Sequence, residues 1–475
     1  MPHLTDPLDA DAALAQGLAW HLQHWARKLG ADDAAADQVG TLGTGLVQAT
    51  RQGPVCLPLA QLVPGKQLLP RAALLATGVI GTPAAPGACP LILDDDNRIY
   101  LHRDFDLEQR LARRLLRAAR AAPQPLTGEA RTRLAALFPR APGSAASVPD
   151  WQQVATALAL RQRLLVISGG PGTGKTSTVV KLLACLLAEA PQARIALTAP
   201  TGKAAARLAE AVRDHAARHA AQWPAALRLA LPLTASTVHR LLGVTPQGFV
   251  HHAGRLLALD AVIVDEASML DLALATHLLE AIPDSARIVL LGDQHQLAAV
   301  ESGAVFAELS TDPSLGAACR TALEEACALP PGALQAPAPG APAVLQDSVV
   351  WLERNYRFAP DSAIGCLATQ IKHGKADAAL SALRSAHGDE LRWHDDAGAT
   401  PAPAVQQEWQ RGYAHFLQAV QDTPHDGAAL AQAFARFRVL CAHREGARGM
   451  AAVNAALDAH AQQVLAPLLA HHPGA

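Results

Sequence analysis

Apolar residues recur at helical spacing near the start of the chain, at Leu14, Leu18, Leu22, Trp25 and Leu29, which predicts an amphipathic helix. A stretch punctuated by proline and glycine follows from Gly53 to Pro90. Asp106 to Ala121 predicts a second helix, one that carries five arginines. Such a face suits DNA, a partner or plain solvent, and the whole segment 1–125 is expected to be a mainly helical region for packing or docking. From about residue 126 the pattern changes to short Leu- or β-branched-rich runs, each ending in polar or glycine residues and followed by a helical stretch. The runs are Leu164–Ile167, Arg194–Thr198, Ala261–Val264 and Arg287–Leu291, and their alternation with helices predicts a parallel α/β sheet over 126–345. Leu329 to Val344, rich in Pro, Ala and Gly, reads as a surface loop or linker rather than a core element. A further α/β segment is expected over 346–475.

Composition narrows the class without identifying it. With 475 residues, 50% hydrophobic and 17% charged, the chain is long enough for about three domains and too apolar for wholesale disorder. The formal net charge of -2 provides no global basic field, so any nucleic-acid contact must be local. Seven scattered cysteines without a C-x-x-C pair predict reduced, mostly buried fillers. The pairs His251–His252 and His471–His472 lack a companion ligand at metal spacing. No stretch approaches a membrane span and the first twenty residues hold no signal-like apolar run, so the expectation is a cytoplasmic protein without membrane contact.

The chemistry concentrates at the predicted strand ends. After LLVIS come Gly169, Gly170, Pro171, Gly172, Thr173, Gly174, Lys175 and Thr176, then a helical stretch opening at Ser177. This is G-x-x-x-x-G-K-T in its strand–loop–helix setting. Its glycines let backbone N–H groups face phosphate oxygens, Lys175 suits the β/γ-phosphates of ATP, and Thr176 suits Mg²⁺. Ala261–Val264 ends in Asp265 and Glu266. Asp265 suits the Mg²⁺ through water and Glu266 the orientation or deprotonation of an attacking water; the alternative is a pair of helix-start carboxylates. The next run ends in Gly292-Asp293-Gln294-His295-Gln296-Leu297, where Gln296 is placed to sense a γ-phosphate. Asp150 and Gln153 fit a capping box, leaving the Gln152 amide free for an adenine edge. Two further polar strand-ends, Pro200-Thr201-Gly202-Lys203 and Ser236-Thr237-Val238-His239, offer a hydroxyl at a helix start with a cation nearby, either ordinary N-caps or phosphate contacts.

The ordered set GGPGTGKT, LTAPTGKAAARL, STVHRLLG, VIVDEASML, LGDQHQLAAVESGA and WLERNYRF resembles superfamily 1 helicases and, within them, the RecD family, the alpha subunits of exodeoxyribonuclease V. The resemblance runs from about Trp151 to Gln370, with weaker similarity in GLVQATRQGPVCLPL and around Leu440 to Gly446. It implies a RecA-like P-loop motor core, a helical N-terminal docking domain and a partial second RecA-like domain over 346–475. It further implies that Pro200, Thr201, Gly202 and Lys203, then Thr237 and His239, contact single-stranded DNA at duplex ends. Gln152 matches the adenine-reading glutamine, and Arg357 the arginine that reaches the γ-phosphate from the second motor domain. The implied activity is 5′ to 3′ movement along one strand in recombinational double-strand break repair, with RecB and RecC as partner subunits; no nuclease constellation is present. Two family motifs, one resembling TVHKSQG and one with an arginine in a TRAR-like run, are missing, so the chain is expected to be C-terminally truncated. A stand-alone RecD-like helicase, a nucleotide-binding docking subunit without turnover and a P-loop small-molecule kinase are the alternatives.

Overall fold

Runs of Leu, Val and Ile with no charge inside them cannot face water on either side, and here they become the strands of a parallel sheet. The computed structural model describes residues 7–50, 53–62, 68–139, 148–218, 223–296, 303–335, 344–386, 388, 390–396 and 398–471. Twelve strands run through these residues, four of them short and near the N-terminus: β1 Cys56–Pro58, β2 Ile80–Gly81, β3 Leu91–Leu93 and β4 Arg98–Leu101. The main sheet uses β5 Leu164–Gly169, β6 Ile195–Ala199, β7 Ser236–Thr237, β10 Ala261–Val264, β11 Arg287–Gly292 and β12 Val349–Leu352, while β8 Val244–Thr245 and β9 Gly248–Phe249 form a separate hairpin. The main order is β12-β5-β11-β10-β6-β7, and every neighbouring pair is parallel. Alternate residues serve opposite faces: Leu165, Ile167, Ile263, Val289 and Leu291 join one core, Leu164, Val166, Val262, Val264 and Leu290 the other. The sequence-predicted P-loop α/β core is therefore present, its four expected strands displaced by at most a residue or two.

The structure refines three expectations. First, the N-terminal region is mainly helical and also carries strands. Its four strands form a sheet in the order β1-β4-β3-β2, packed with the helices Pro7–Lys28 and Asp33–Thr50 around Leu22, Val39, Leu42, Leu46, Leu91 and Ile99. Those helices approach closely enough that a Cβ on Gly43 would lie 2.3 Å from Leu22 Cδ1. The buried line of the first helix passes through Ala15, Leu22 and Ala26, whereas Leu14, Trp25 and Leu29 of the expected stripe are exposed.

Second, the arginine-bearing segment, a helix over His102–Ala119, is only in part a solvated face: Arg113 and Arg117 are exposed, and two other arginines turn inward. Arg114 is buried, and Arg110 makes a two-pronged pair with Glu280. Third, the boundary expected at 346 falls later. β12 hydrogen-bonds to β5 inside the motor sheet, and the chain divides into compact units at Met1–Ala359 and Pro360–Ala475. The second unit holds the helices Ala363–Lys372, Ala376–Arg384, Pro403–Asp422, Gly427–Ala435 and Met450–His471, and no strand among its described residues, so the α/β pattern expected there is not what forms.

Smaller differences have local causes. Leu329 and Leu334 of the expected linker are buried in the motor core, because proline and glycine break elements without removing the drive to bury leucine. Residues 336–343 of that linker, and Leu297, lie outside the described residues. All seven cysteines are free, but only Cys185, Cys319 and Cys327 are buried.

Candidate nucleotide site

β5 delivers the chain into a loop whose turn demands glycine: Gly172 and Gly174 both hold φ +82°, in the left-handed region. The space around them is equally restrictive. A Cβ on Gly174 would sit 2.2 Å from Gln152 Nε2, and one on Gly172 2.7 Å from Asn355 Oδ1 and 2.8 Å from Arg357 Cβ. Gly170 has open space in front of it, so the loop backbone is approachable from the cavity side. The helix Lys175–Glu189 starts at the end of the loop and aims its N-terminus into the same space.

That space is a cavity of about 840 Å³ at the C-terminal ends of the strands, where open α/β sheets take ligands. Gly170 to Ser177 form its floor, and Asp265, Glu266, Gln296 and Arg357 line it together with Thr201, Lys203, Arg207 and Tyr356. The Lys175 ammonium donates to the Gly169 and Gly170 carbonyls at 2.5 and 3.4 Å. Asp265 is buried at the tip of β10, and burial raises its pKa, with the neighbouring Glu266 charge adding to the rise. Glu266 takes a left-handed conformation, φ 52° and ψ 39°, rare for a side-chain-bearing residue, and its Oε2 is buried without a hydrogen-bond partner. A buried carboxylate and an unpartnered carboxylate oxygen at the mouth of a glycine-rich loop fit a divalent cation and a water, and Thr176 lines the same cavity.

The structure revises two of the expected side-chain settings. The Gln152 amide is not free: its Nε2 donates to the Thr173 carbonyl at 3.0 Å, because the helix Trp151–Arg161 begins directly beneath the loop. Asp150 caps that helix through the Gln152 N–H at 2.9 Å. Arg357 comes from the same compact unit as the loop and not from a second one. β12 runs beside β5 and carries the chain to Asn355, whose Nδ2 donates to the Pro171 carbonyl at 2.8 Å, while the Tyr356 N–H donates to the Gly172 carbonyl at 2.8 Å. Within the α/β segment expected from 346 this strand does not stand out, because four residues, VVWL, after a proline-rich stretch carry too little periodicity.

A second cavity of about 500 Å³ adjoins the first across the loop helix, sharing Gly174, Ser177 and Tyr356. Gln152, Phe138, Lys181, Arg354 and Tyr356 line it, giving it apolar ring faces and polar edges of the kind that hold a nucleobase. Lys181 lies over the Phe138 ring at 3.9 Å, and burial lowers its pKa.

The residues expected to meet DNA are divided. Thr201 caps the helix Gly202–Arg218 by accepting from the Ala204 N–H, and Lys203 on that helix faces the large cavity. Thr237 caps Val238–Leu242 by accepting from Arg240, and the exposed His239 stands outside the cavity lining, its ring 6.2 Å from that of Phe249. Both hydroxyls thus act as N-caps. Among the described residues no group of three metal-ligating side chains of the His/Cys/Asp/Glu type is found, and no helix is long and apolar enough to cross a membrane.

The family described as AAA domain matches residues 152–302. Over 447 residues the chain is 35% identical to the RecBCD enzyme subunit RecD of Mycobacterium tuberculosis, covering 90% of this chain and 68% of that protein. Its counterpart in Mycolicibacterium smegmatis is 35% identical over 430 residues, 85% of this chain and 65% of the relative. The ATP-dependent RecD2 DNA helicase of Deinococcus radiodurans is 46% identical over 141 residues, 30% of this chain and 17% of that protein. The chain spans about two thirds of the length of these two mycobacterial RecD subunits.

Proposed function

The chain belongs to the RecD family of superfamily 1 helicases, and from that premise we propose that it is the ATP-hydrolysing, 5′ to 3′ translocating DNA helicase subunit of an exodeoxyribonuclease V, working with RecB- and RecC-like partners in double-strand break repair. The observation that carries the reading is the convergence of the glycine loop, Asp265, Glu266, Gln296 and Arg357 on one cavity. Coverage favours it over a stand-alone helicase, since the chain aligns along 85–90% of its length with the mycobacterial RecD subunits and along 30% with RecD2.

In this reading the loop N–H groups and Lys175 hold the β- and γ-phosphates, which requires the ammonium to leave the Gly169 carbonyl. Thr176 and, through water, Asp265 would hold Mg²⁺, which when bound supplies charge neutralisation at the phosphate oxygens. Glu266 orients the attacking water and accepts its proton at the Oε2 atom that has no other partner. Gln296 contacts the γ-phosphate side, and Arg357 stabilises the charge that develops there. Gln152 acts on the base side in two ways, bracing the loop through Thr173 and lining the second cavity. Pro200 to Lys203, with Thr237 and His239, would lie along single-stranded DNA, and Lys203, which also faces the nucleotide cavity, would connect the two ligands.

The deciding measurement is phosphate release by the purified chain with and without single-stranded DNA, using Lys175→Gln as the blank. DNA-stimulated release that disappears in the variant, together with displacement of a strand from a 5′-tailed but not a 3′-tailed duplex, is the expected result. Tight nucleotide binding with no turnover under any DNA condition would replace the motor by a nucleotide-dependent docking subunit.

A further inference from the structure

We propose that the arginine-bearing helix His102–Ala119 is a positioning element for the nucleotide chemistry: Arg110 and Arg114 anchor the far end of the helix Leu272–Glu280 and so hold Glu266 in its left-handed conformation at the cavity. This rests on the ATPase reading above and adds to it a link between the N-terminal region and hydrolysis.

Three sets of contacts support the link. The first lies at the C-terminal end of Leu272–Glu280. The buried Arg114 donates from Nε to the Leu279 carbonyl at 3.0 Å and from Nη2 to the Ile282 and Pro283 carbonyls at 3.2 Å each. Arg110 adds Nε and Nη2 contacts of 2.8 and 2.5 Å to the two Glu280 oxygens. Carbonyls left open at a helix C-terminus, with the negative end of the helix dipole, suit a fixed multi-donor cation better than any other side chain. One turn earlier the Thr276 hydroxyl reaches across to the Leu107 carbonyl at 3.2 Å.

The second set connects that helix to the site. Asp271 caps its start, Leu270 is buried just before it, and only the short turn Ala267–Met269 separates it from Glu266. A helix is stiff over nine residues, so fixing its far end fixes the direction in which the turn emerges. A left-handed conformation in a residue other than glycine persists only where its surroundings over-determine it. Here the surroundings include a helix tied at both ends.

The third set is a separate attachment at the near end. The Gly303 N–H, on the chain leaving the Gln296 segment, donates to the Gly53 carbonyl at 2.8 Å. Gly303 has φ +101°, and a Cβ there would lie 2.8 Å from Leu272 Cβ and 3.4 Å from Val55 Cγ1. The N-terminal region therefore binds the far end of the Glu266 helix directly and, at its near end, binds Gly303, which lies close against Leu272.

The test is a charge exchange between Arg110 and Glu280 in the full chain: Arg110→Glu, Glu280→Arg and the two together. Amide hydrogen exchange without nucleotide is the first readout and does not depend on hydrolysis. The expected result is at least tenfold faster exchange at residues 266–270 in each single variant, protection restored in the double, and the amides of β5 and β11 unchanged. Where the wild-type chain hydrolyses ATP, kcat falls about tenfold in the singles with KM unchanged and recovers in the double. Faster exchange spread evenly over the sheet, or unchanged exchange at 266–270, overturns the proposal, because the arginines then only add stability. Should Arg110→Glu not fold, Arg110→Gln carries the same expectation at smaller amplitude. A wild-type chain without turnover counts against the ATPase reading alone, since the exchange experiment still reports the anchoring.

Discussion

Asp265 and Glu266 are neighbours in sequence that meet opposite constraints, one electrostatic and one conformational. Burial, and then the Glu266 charge, raise the Asp265 pKa, against the pull of the Glu266 N–H and Lys175. The folded state therefore binds this proton more readily than the unfolded chain, whose aspartates titrate near about 3.9. Its stabilising contribution is complete below that pH and is lost as pH rises through the folded value. Asp265→Asn should consequently melt at a higher temperature than wild type at neutral pH without Mg²⁺, the gap closing toward about pH 4; a gap independent of pH would contradict this origin. Glu266→Gln keeps the shape and removes the base, so kcat should fall by about 10²–10⁴ with nucleotide affinity retained, as phosphate-release and fluorescent-nucleotide titrations would read. Gly174→Ala combines a forbidden φ with a clash on Gln152 and should lose nucleotide binding before it loses the fold.

Whole elements were legible in the sequence where their chemistry is local. The glycine loop, its strand and its helix lie in one continuous stretch, and each residue type there answers a constraint within a few positions of itself. The arginine helix was not legible in the same way. Its partners, Glu280 and the carbonyls of Leu279, Ile282 and Pro283, lie more than 160 residues downstream, and carbonyls leave no trace in the sequence. Charge alone could suggest a surface, DNA or a partner, but not a helix C-terminus inside the same unit. The contrast between two arginines of this helix is measurable. Arg114→Ala removes a buried cation from three carbonyls and should cost about 2–4 kcal/mol in urea unfolding. Arg117, exposed and 3.3 Å from an equally exposed Asp284, should cost no more than about 0.5 kcal/mol when replaced by alanine.

At the scale of the molecule, the residues gathered around the nucleotide cavity all belong to the unit that ends at Ala359. A chain cut after Ala359 should then bind nucleotide with the affinity of the full chain, as titration of both would show; a loss of more than about tenfold would place part of the site's support beyond the cut. The first compact unit runs on past residue 346, where the sequence pattern predicts a boundary, for a physical reason. β12 is short, follows a proline-rich stretch and owes its place to pairing with β5 rather than to a pattern of its own. That pairing also orders events at the ribosome. Asn355 and its partner Pro171 stand 184 positions apart, so at about 5–20 residues per second the loop emerges roughly ten to forty seconds before the strand that closes it. Through that interval β5 has an open flank, a template for mispairing that a nascent-chain chaperone would be expected to guard, and the newborn protein cannot assemble its nucleotide cavity until synthesis has passed Arg357.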